Sequence, residues 1–112
     1  MSGAPALIPW EMNKELVVST THITEEDARL LERILGRGPV MGHHTDFGWV
    51  IWAQCLQHMD EEEKVAWRSD VALTGMSEAF MDLVFRANDM GCKWLHLDSD
   101  GPVYEGLPMF EW

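Results

Sequence analysis

Positively charged residues are scarce in this sequence. Lysine and arginine together number 8 against 19 aspartates and glutamates, which gives a net charge of −11 with histidine neutral. Only Lys14, Lys64 and Lys93 are lysines, whereas ordinary domains intersperse charges of both signs. Because such a surface repels nucleic acid and anionic membranes, direct binding to either is excluded, and proteins with basic surfaces are the expected partners.

Cysteines and long apolar runs are also lacking. The only cysteines are Cys55 and Cys92, which lie far apart beside apolar residues. This excludes a disulfide framework and favours reduced, buried thiols. No run approaches the roughly 18 apolar residues of a membrane span, and residues 1–14 lack the basic and apolar regions of a signal peptide. We therefore expect a cytoplasmic protein.

The apolar content, in contrast, is that of a folded domain. Hydrophobic residues make up 46% of the 112 residues and include six tryptophans and eight methionines. This composition excludes a disordered acidic tail, which would have too little apolar surface to offset its ordering entropy. Small residues and proline predominate in residues 2–9. We predict a flexible N-terminal arm over residues 1–14 and a single α+β domain over residues 15–112.

Two helices have clear sequence signals, and a third is shorter. Thr24 is a good N-cap for a helix over about 25–35, which has three acids in its first turn and ends at glycines. Ser77 caps a second helix whose apolar residues share one face and which ends at Gly91. A short helical piece is predicted near residues 60–67.

Four strands complete the predicted domain. They lie over residues 15–20, 40–45, 48–53 and 93–98, and the middle two flank a hairpin turn. The order β-α-β-β-α-β is that of a ferredoxin-like antiparallel sheet with two helices on one face, followed here by an extended C-terminal tail. Residues 49–53 are apolar on both faces, so the second face needs a cover: the arm, the segment 54–76 or a second subunit.

The sequence contains no convincing catalytic or metal-binding motif. His43 and His44 are adjacent in a predicted strand, so their imidazoles point to opposite faces. Asp98-Ser99-Asp100-Gly101 begins like a calcium loop, but its twelfth position is Met109 instead of a bidentate glutamate. Cys92 follows a helix end, where the dipole does not favour a thiolate. We expect no enzyme, metal or cofactor; a metal-dependent or cysteine enzyme is the least favoured alternative.

Two acidic clusters are the candidate partner-binding residues. Each has a structural explanation as the cap and first turn of a helix. That explanation leaves the shortage of compensating lysines unaccounted for. Trp67 is added because tryptophan is frequent among interface hot spots. The candidate residues are Glu25, Glu26, Asp27, Asp60, Glu61, Glu62, Glu63 and Trp67.

Three stretches resemble a known family. They are residues 18–27 (VSTTHITEED), residues 91–102 (GCKWLHLDSDGP) and the ending at residues 106–112 (GLPMFEW). The chain resembles small accessory proteins of bacterial plasmids and phages that form a family of unknown function. The resemblance transfers no catalytic or binding residue. It implies a setting on mobile elements, whose small acidic proteins include inhibitors of restriction and CRISPR complexes.

Charge and resemblance together predict a function. We expect an acidic, non-enzymatic inhibitor that binds a basic, nucleic-acid-binding complex of the host, either a CRISPR effector or a restriction enzyme. Its carboxylates would pair with the arginines and lysines that otherwise hold phosphate. The alternative is a small regulatory or ligand-binding module that forms a homodimer or larger homo-oligomer, in which the acidity serves solubility only.

Overall fold

The computed structural model describes residues 10–112, which form an α+β domain. Within these residues, four strands make one sheet and three α-helices pack against it. In chain order the elements are β1 (Glu15–Ser19), α1 (Glu25–Ile34), β2 (Gly42–Thr45), β3 (Gly48–Trp52), α2 (Glu61–Leu73), α3 (Glu78–Asp89) and β4 (Trp94–Asp98). Short 3-10 turns cover Thr20–His22 and Gln54–Leu56.

Each helix begins at a short polar side chain that satisfies an otherwise unpaired main-chain N–H of the first turn. These N-caps are Thr24 for α1, Asp60 for α2 and Ser77 for α3. The predicted N-termini of the first and last helices are therefore confirmed. The middle helix differs from its prediction, because α2 continues to Leu73 instead of ending near residue 67.

The sheet is mixed, with the strand order β1-β4-β3-β2. β3 pairs antiparallel with both β2 and β4, whereas β1 pairs parallel with β4. The predicted ferredoxin-like antiparallel sheet is wrong in this respect. After α3 the chain returns in the same direction as β1 and inserts between β1 and β3, so the last strand occupies a central position.

The hydrophobic core lies between one face of the sheet and the helices. The strands contribute residues at alternating positions, as a half-buried sheet requires. All three helices add apolar side chains to this same cluster, where two had been predicted to do so. Its members include Leu16, Val18, Trp49, Ile51, Leu95 and Leu97 from the strands and Leu31, Val71, Phe80 and Val84 from the helices.

No helix among the described residues packs its apolar side chains on the opposite face of the sheet. Val50 is buried there, yet it lies outside the core cluster. Trp52 and Trp94 are paired across β3 and β4 on this face, and Trp52 is 38% exposed. The His43 ring packs edge-on against Trp94, with 5.8 Å between the ring centroids. The segment 54–76 does not cover this face, because α2 packs on the core side.

The C-terminal segment, residues 99–112, contains turns and irregular backbone and no strand. It runs along the outer edge of β1 and the turn that follows. The Ser19 N–H donates to the Pro102 carbonyl at 2.8 Å, and the Phe110 N–H donates to the Thr21 carbonyl at 2.8 Å. The indole of Trp112 donates to the Ile23 carbonyl at 3.2 Å. The segment is thus held to the domain by hydrogen bonds, which distinguishes it from a free extended tail.

Part of the predicted N-terminal arm, residues 1–9, lies outside the described residues. Residues 10–14 have no regular secondary structure, and Trp10 is exposed. Lys14 joins this stretch to the domain: its carbonyl accepts the Lys93 N–H at 2.8 Å, and its ammonium donates to the Met90 carbonyl at 2.9 Å. Among residues 10–112, no helix has the length and apolar composition needed to cross a membrane.

Candidate acidic partner-binding surface

The carboxylates of this domain lie almost entirely on its surface. All 19 acidic residues fall within the described part of the chain, and all except Asp27 and Asp98 are exposed. The eight basic residues also fall within it, so they cannot neutralise more than a minority of this charge. The acidic excess therefore faces solvent and gives the surface a negative potential.

At the start of α1, much of the acidic charge is neutralised locally. Arg29 lies one turn after the helix begins, and its guanidinium is 3.0 Å from the Glu25 carboxylate and 3.6 Å from that of Glu26. These are exposed pairs of the i,i+4 and i,i+3 type, which stabilise a helix weakly. Glu25 and Glu26 are accessible, but a partner's arginine would compete with Arg29 for them.

Asp27 is buried, and its inclusion among the predicted contact residues is corrected. One carboxylate oxygen accepts the Ser77 N–H at 2.8 Å, and the other accepts the Thr24 N–H at 3.0 Å and the Ser77 hydroxyl. Asp27 is fully buried. It therefore joins the N-terminus of α1 to that of α3, and its acceptors are used inside the domain.

The start of α2 presents carboxylates of two kinds. Asp60 and Glu63 form a capping box: Asp60 accepts the Glu63 N–H at 2.8 Å, and Glu63 accepts the Asp60 N–H at 3.2 Å. The Glu61 side chain is 94% exposed, and its closest cation, Lys64, is 3.8 Å away. Glu62 is exposed and forms no ion pair within residues 10–112. Glu61 and Glu62 are thus the accessible carboxylates of this turn.

The two acidic turns do not merge into one patch. Asp27 places the start of α1 beside Ser77, and Ser77 follows the C-terminal end of α2. The start of α2 lies at the other end of that helix. A helix of this length spans roughly 18 Å at 1.5 Å per residue. The turn at Glu25 and Glu26 and the turn at Glu61 and Glu62 are therefore separate surfaces.

Trp67 belongs to the core, and its prediction as a partner contact is also corrected. Its indole is 7% exposed and donates to the Pro39 carbonyl at 3.1 Å. The Phe85 ring packs edge-on against it at 5.7 Å. The exposed apolar residues of α2 are instead Val65 and Leu73. Leu73 lies beyond the predicted helical piece, whereas Val65 lies within it, where apolar residues on more than one helix face were a visible signal.

The histidines and cysteines do not converge. Within the described residues, no group of three histidine, cysteine or acidic side chains is placed to hold a metal ion. His96 lies between the carboxylates of Glu15, at 3.5 Å, and Asp98, at 3.6 Å, on the face opposite the core. Cys92 is buried, and burial raises the pKa of the Cys55 thiol, which makes it a poorer nucleophile.

The match to known proteins concerns the whole domain. Residues 15–112 match a family model described as "Family of unknown function (DUF5983) C-terminal domain". The chain belongs to the DUF5983 family. This confirms the resemblance at the level of a family of unknown function. No curated protein and no solved structure matches the chain. The function of this DUF5983 domain therefore has to be argued from its own surface.

Proposed function

We propose that this DUF5983 domain is a non-enzymatic inhibitor that binds a basic, nucleic-acid-binding protein and occludes its nucleic-acid-binding surface. The observation that carries the proposal is the first turn of α2. There Glu61 and Glu62 project into solvent with little neutralisation, in a chain whose net charge is −11. Lysine and arginine side chains that otherwise hold phosphate would pair with these carboxylates.

Binding of this kind has a defined physical origin. Carboxylates form short, charge-assisted hydrogen bonds with arginine, and bidentate pairs are the strongest of them. The net charge of the domain accelerates encounter with a basic partner, and salt slows it. Val65, exposed one helical turn after Glu61, adds apolar area beside the charged contact. The contact is therefore both electrostatic and partly apolar.

The class of partner is proposed from the family resemblance. The sequence resembles accessory proteins of plasmids and phages, which meet restriction enzymes and CRISPR effectors in the host cytoplasm. Both kinds of complex hold nucleic acid in basic grooves. We propose such a complex as the partner, with no direct binding of the domain to nucleic acid.

The deciding experiment is a competition assay with purified complexes. A restriction enzyme or CRISPR effector from a candidate host is mixed with its DNA substrate and increasing amounts of the domain, at low and at high salt. We expect DNA binding to fall as the domain is added, and the inhibition to weaken at high salt. If DNA binding stays unchanged at low salt in every complex tested, the proposed function is wrong for that host.

The uncovered face of the sheet supports a second candidate, a homodimer. Trp52 and Trp94 lie side by side there, and Val50 of β3 adds an apolar side chain to the same face. A second copy would cover these residues. Light scattering after size-exclusion chromatography tests this directly. A dimer that dissociates in the variant Trp52→Ala but persists in Glu61→Lys/Glu62→Lys would favour this candidate over inhibition through the acidic turn.

A further inference from the structure

A groove runs between the C-terminal segment and the body of the domain. Its larger part is a cavity of about 340 Å³ between β1, α3 and residues 104–107. The lining is mainly apolar and is provided by Leu16, Val18, Met90 and Leu107. Ligand pockets in proteins begin at about 300 Å³, so this cavity has the size for a small ligand.

Arg86 is an exposed residue of this groove. It lines the 340 Å³ cavity and also the adjoining cavity of about 230 Å³, which contains His22 and Pro108 in its wall. Gly106 and Leu107 are shared by the two cavities in the same way. The two cavities therefore adjoin, and Arg86 is the basic side chain common to both.

The Arg86 guanidinium has no carboxylate partner within residues 10–112. Two acids on the same helix lie within about one turn of it: Asp82, four residues earlier, is paired with Arg68, and Asp89, three residues later, forms no ion pair with it. Arg33 and Arg37 also lack an ion pair among these residues, but neither lines either cavity, so Arg86 is the unpaired arginine of this groove. Its planar fork of N–H donors is suited to a carboxylate, which it binds in a bidentate manner.

The charges around the groove limit what the guanidinium can hold. Glu105, an exposed residue, lines the larger cavity, and Asp82, which is paired with Arg68, lines the smaller one. With these carboxylates beside it, a single guanidinium accepts a singly charged head more readily than a phosphate monoester, which carries nearly two charges. Because Leu16 and Val18 make the floor of the cavity apolar, the ligand also needs a hydrocarbon chain attached to its charged group.

We infer that this groove binds a small monocarboxylate with an apolar chain. The carboxylate pairs with Arg86, and the chain lies against Leu16, Val18 and Met90. The C-terminal segment forms the outer wall, because His22 holds Tyr104 and Pro108 on either side of residues 105–107. The site is separate from the acidic turn of α2 and goes beyond the proposed partner binding.

Titration of the full chain with octanoate tests the inference. Calorimetry gives the affinity, and the methyl NMR signals of Leu16 and Val18 report the location. We expect saturable binding with shifts at both residues. Octylammonium and 1-octanol have the same number of carbon atoms and an alkyl chain longer by one methylene, but no carboxylate, and both should bind about tenfold more weakly or worse, since an ion-paired hydrogen bond is lost.

Variants of two arginines complete the test. Arg86→Gln should weaken octanoate binding about tenfold, and Arg86→Lys, which retains the charge without the fork, should fall between it and the native chain. Arg33→Gln is the matched control, because Arg33 on α1 lines neither cavity, and it should bind as the native chain does. Glu61→Lys/Glu62→Lys should also bind octanoate normally, which separates this site from the proposed inhibition.

Three results would overturn the inference. The first is a lack of octanoate binding below its micelle-forming concentration. The second is equal affinity for 1-octanol, which would show an apolar void without a role for the guanidinium. The third is native affinity in Arg86→Gln, provided that its circular dichroism melting curve shows a folded domain.

Discussion

His22 accepts the main-chain N–H of Tyr104 through Nε2, at 2.9 Å, across 82 positions of the chain. On the other side of the ring, Nδ1 is 2.8 Å from the Pro108 carbonyl, which can only accept a hydrogen bond. The two contacts fix one neutral tautomer, with the proton on Nδ1. Because the ring is 1% exposed, water cannot replace either partner. A histidine near the N-terminus thus determines the path of the C-terminal segment.

Replacing His22 by alanine should therefore release that segment. The Tyr104 N–H and the Pro108 carbonyl would lose their partner, and a cavity would form where the ring had been. We expect the free energy of unfolding in urea to fall by about 2–4 kcal/mol. Limited proteolysis should cut residues 103–112 faster than in the native chain. His58→Ala, at an exposed histidine, is the control and should change neither measurement.

Asp27 offers a second test of an interior polar contact. Asp27→Ala leaves the Ser77 and Thr24 donors without their acceptor and should lower the free energy of unfolding by about 2–4 kcal/mol, since hydrogen bonds to a charged group are the stronger kind. Glu25→Ala removes an exposed carboxylate from the same turn and should cost less than about 1 kcal/mol. Equal losses in the two variants would contradict the assignment of Asp27 as the link between α1 and α3.

The location of partner binding can be tested with two charge-matched variants. Glu61→Lys/Glu62→Lys and Glu25→Lys/Glu26→Lys change the charge equally and at equivalent helix positions. Each should lower stability by about 1–2 kcal/mol through the helix dipole. Only the α2 variant should weaken inhibition of DNA binding, about tenfold or more. Stronger loss in the α1 variant would move the contact to the Glu25 turn.

The Cys55 thiol gives a prediction for alkaline pH. Burial raises the pKa of this thiol above its ordinary value of 9.0, and a main-chain hydrogen bond opposes part of the rise. The folded chain therefore keeps the thiol proton at pH values where the unfolded chain has released it. The thiol therefore contributes its full stabilisation below pH 9. This contribution is lost as the pH rises through the pKa that the thiol has in the folded chain.

The measurement is the free energy of unfolding between pH 8 and pH 11 (roughly the range in which thiols titrate). The native chain should lose more stability over this range than Cys55→Ala, which has no thiol to titrate at this position. The difference between the two chains isolates the Cys55 thiol from every group that the two chains share. Parallel curves would show that Cys55 does not contribute.

Local signals in the sequence predicted the local structure well. Thr24 and Ser77 cap helices where their hydroxyls and the following acids and apolar residues indicated, and the hairpin of β2 and β3 lies at the predicted turn. These features depend on neighbours within about one helical turn. Predicting these features therefore required no knowledge of the tertiary fold.

Contacts between distant residues were not predictable in the same way. Asp27 looked like a surface acid of a first turn, because Ser77, its partner, is 50 positions away. Trp67 was predicted as a partner contact from the frequency of tryptophan in interfaces, whereas its indole donates to the carbonyl of Pro39, 28 positions away. The strand order failed for the same reason: the pairing of β1 with β4 has no local signature. Glu61 and Glu62 are exposed, and no residue of 10–112 that is distant in sequence forms an ion pair with them.

The central position of β4 has a consequence for the order of folding. The β2–β3 hairpin can form from neighbouring residues, but β1 has no partner in the sheet until β4 is in place, because Val17 pairs with His96. Strands that are so far apart in sequence pair slowly, because the chain between them must first lose conformational entropy as the loop closes. The first strand therefore remains unpaired in the sheet until the last strand has formed beside it.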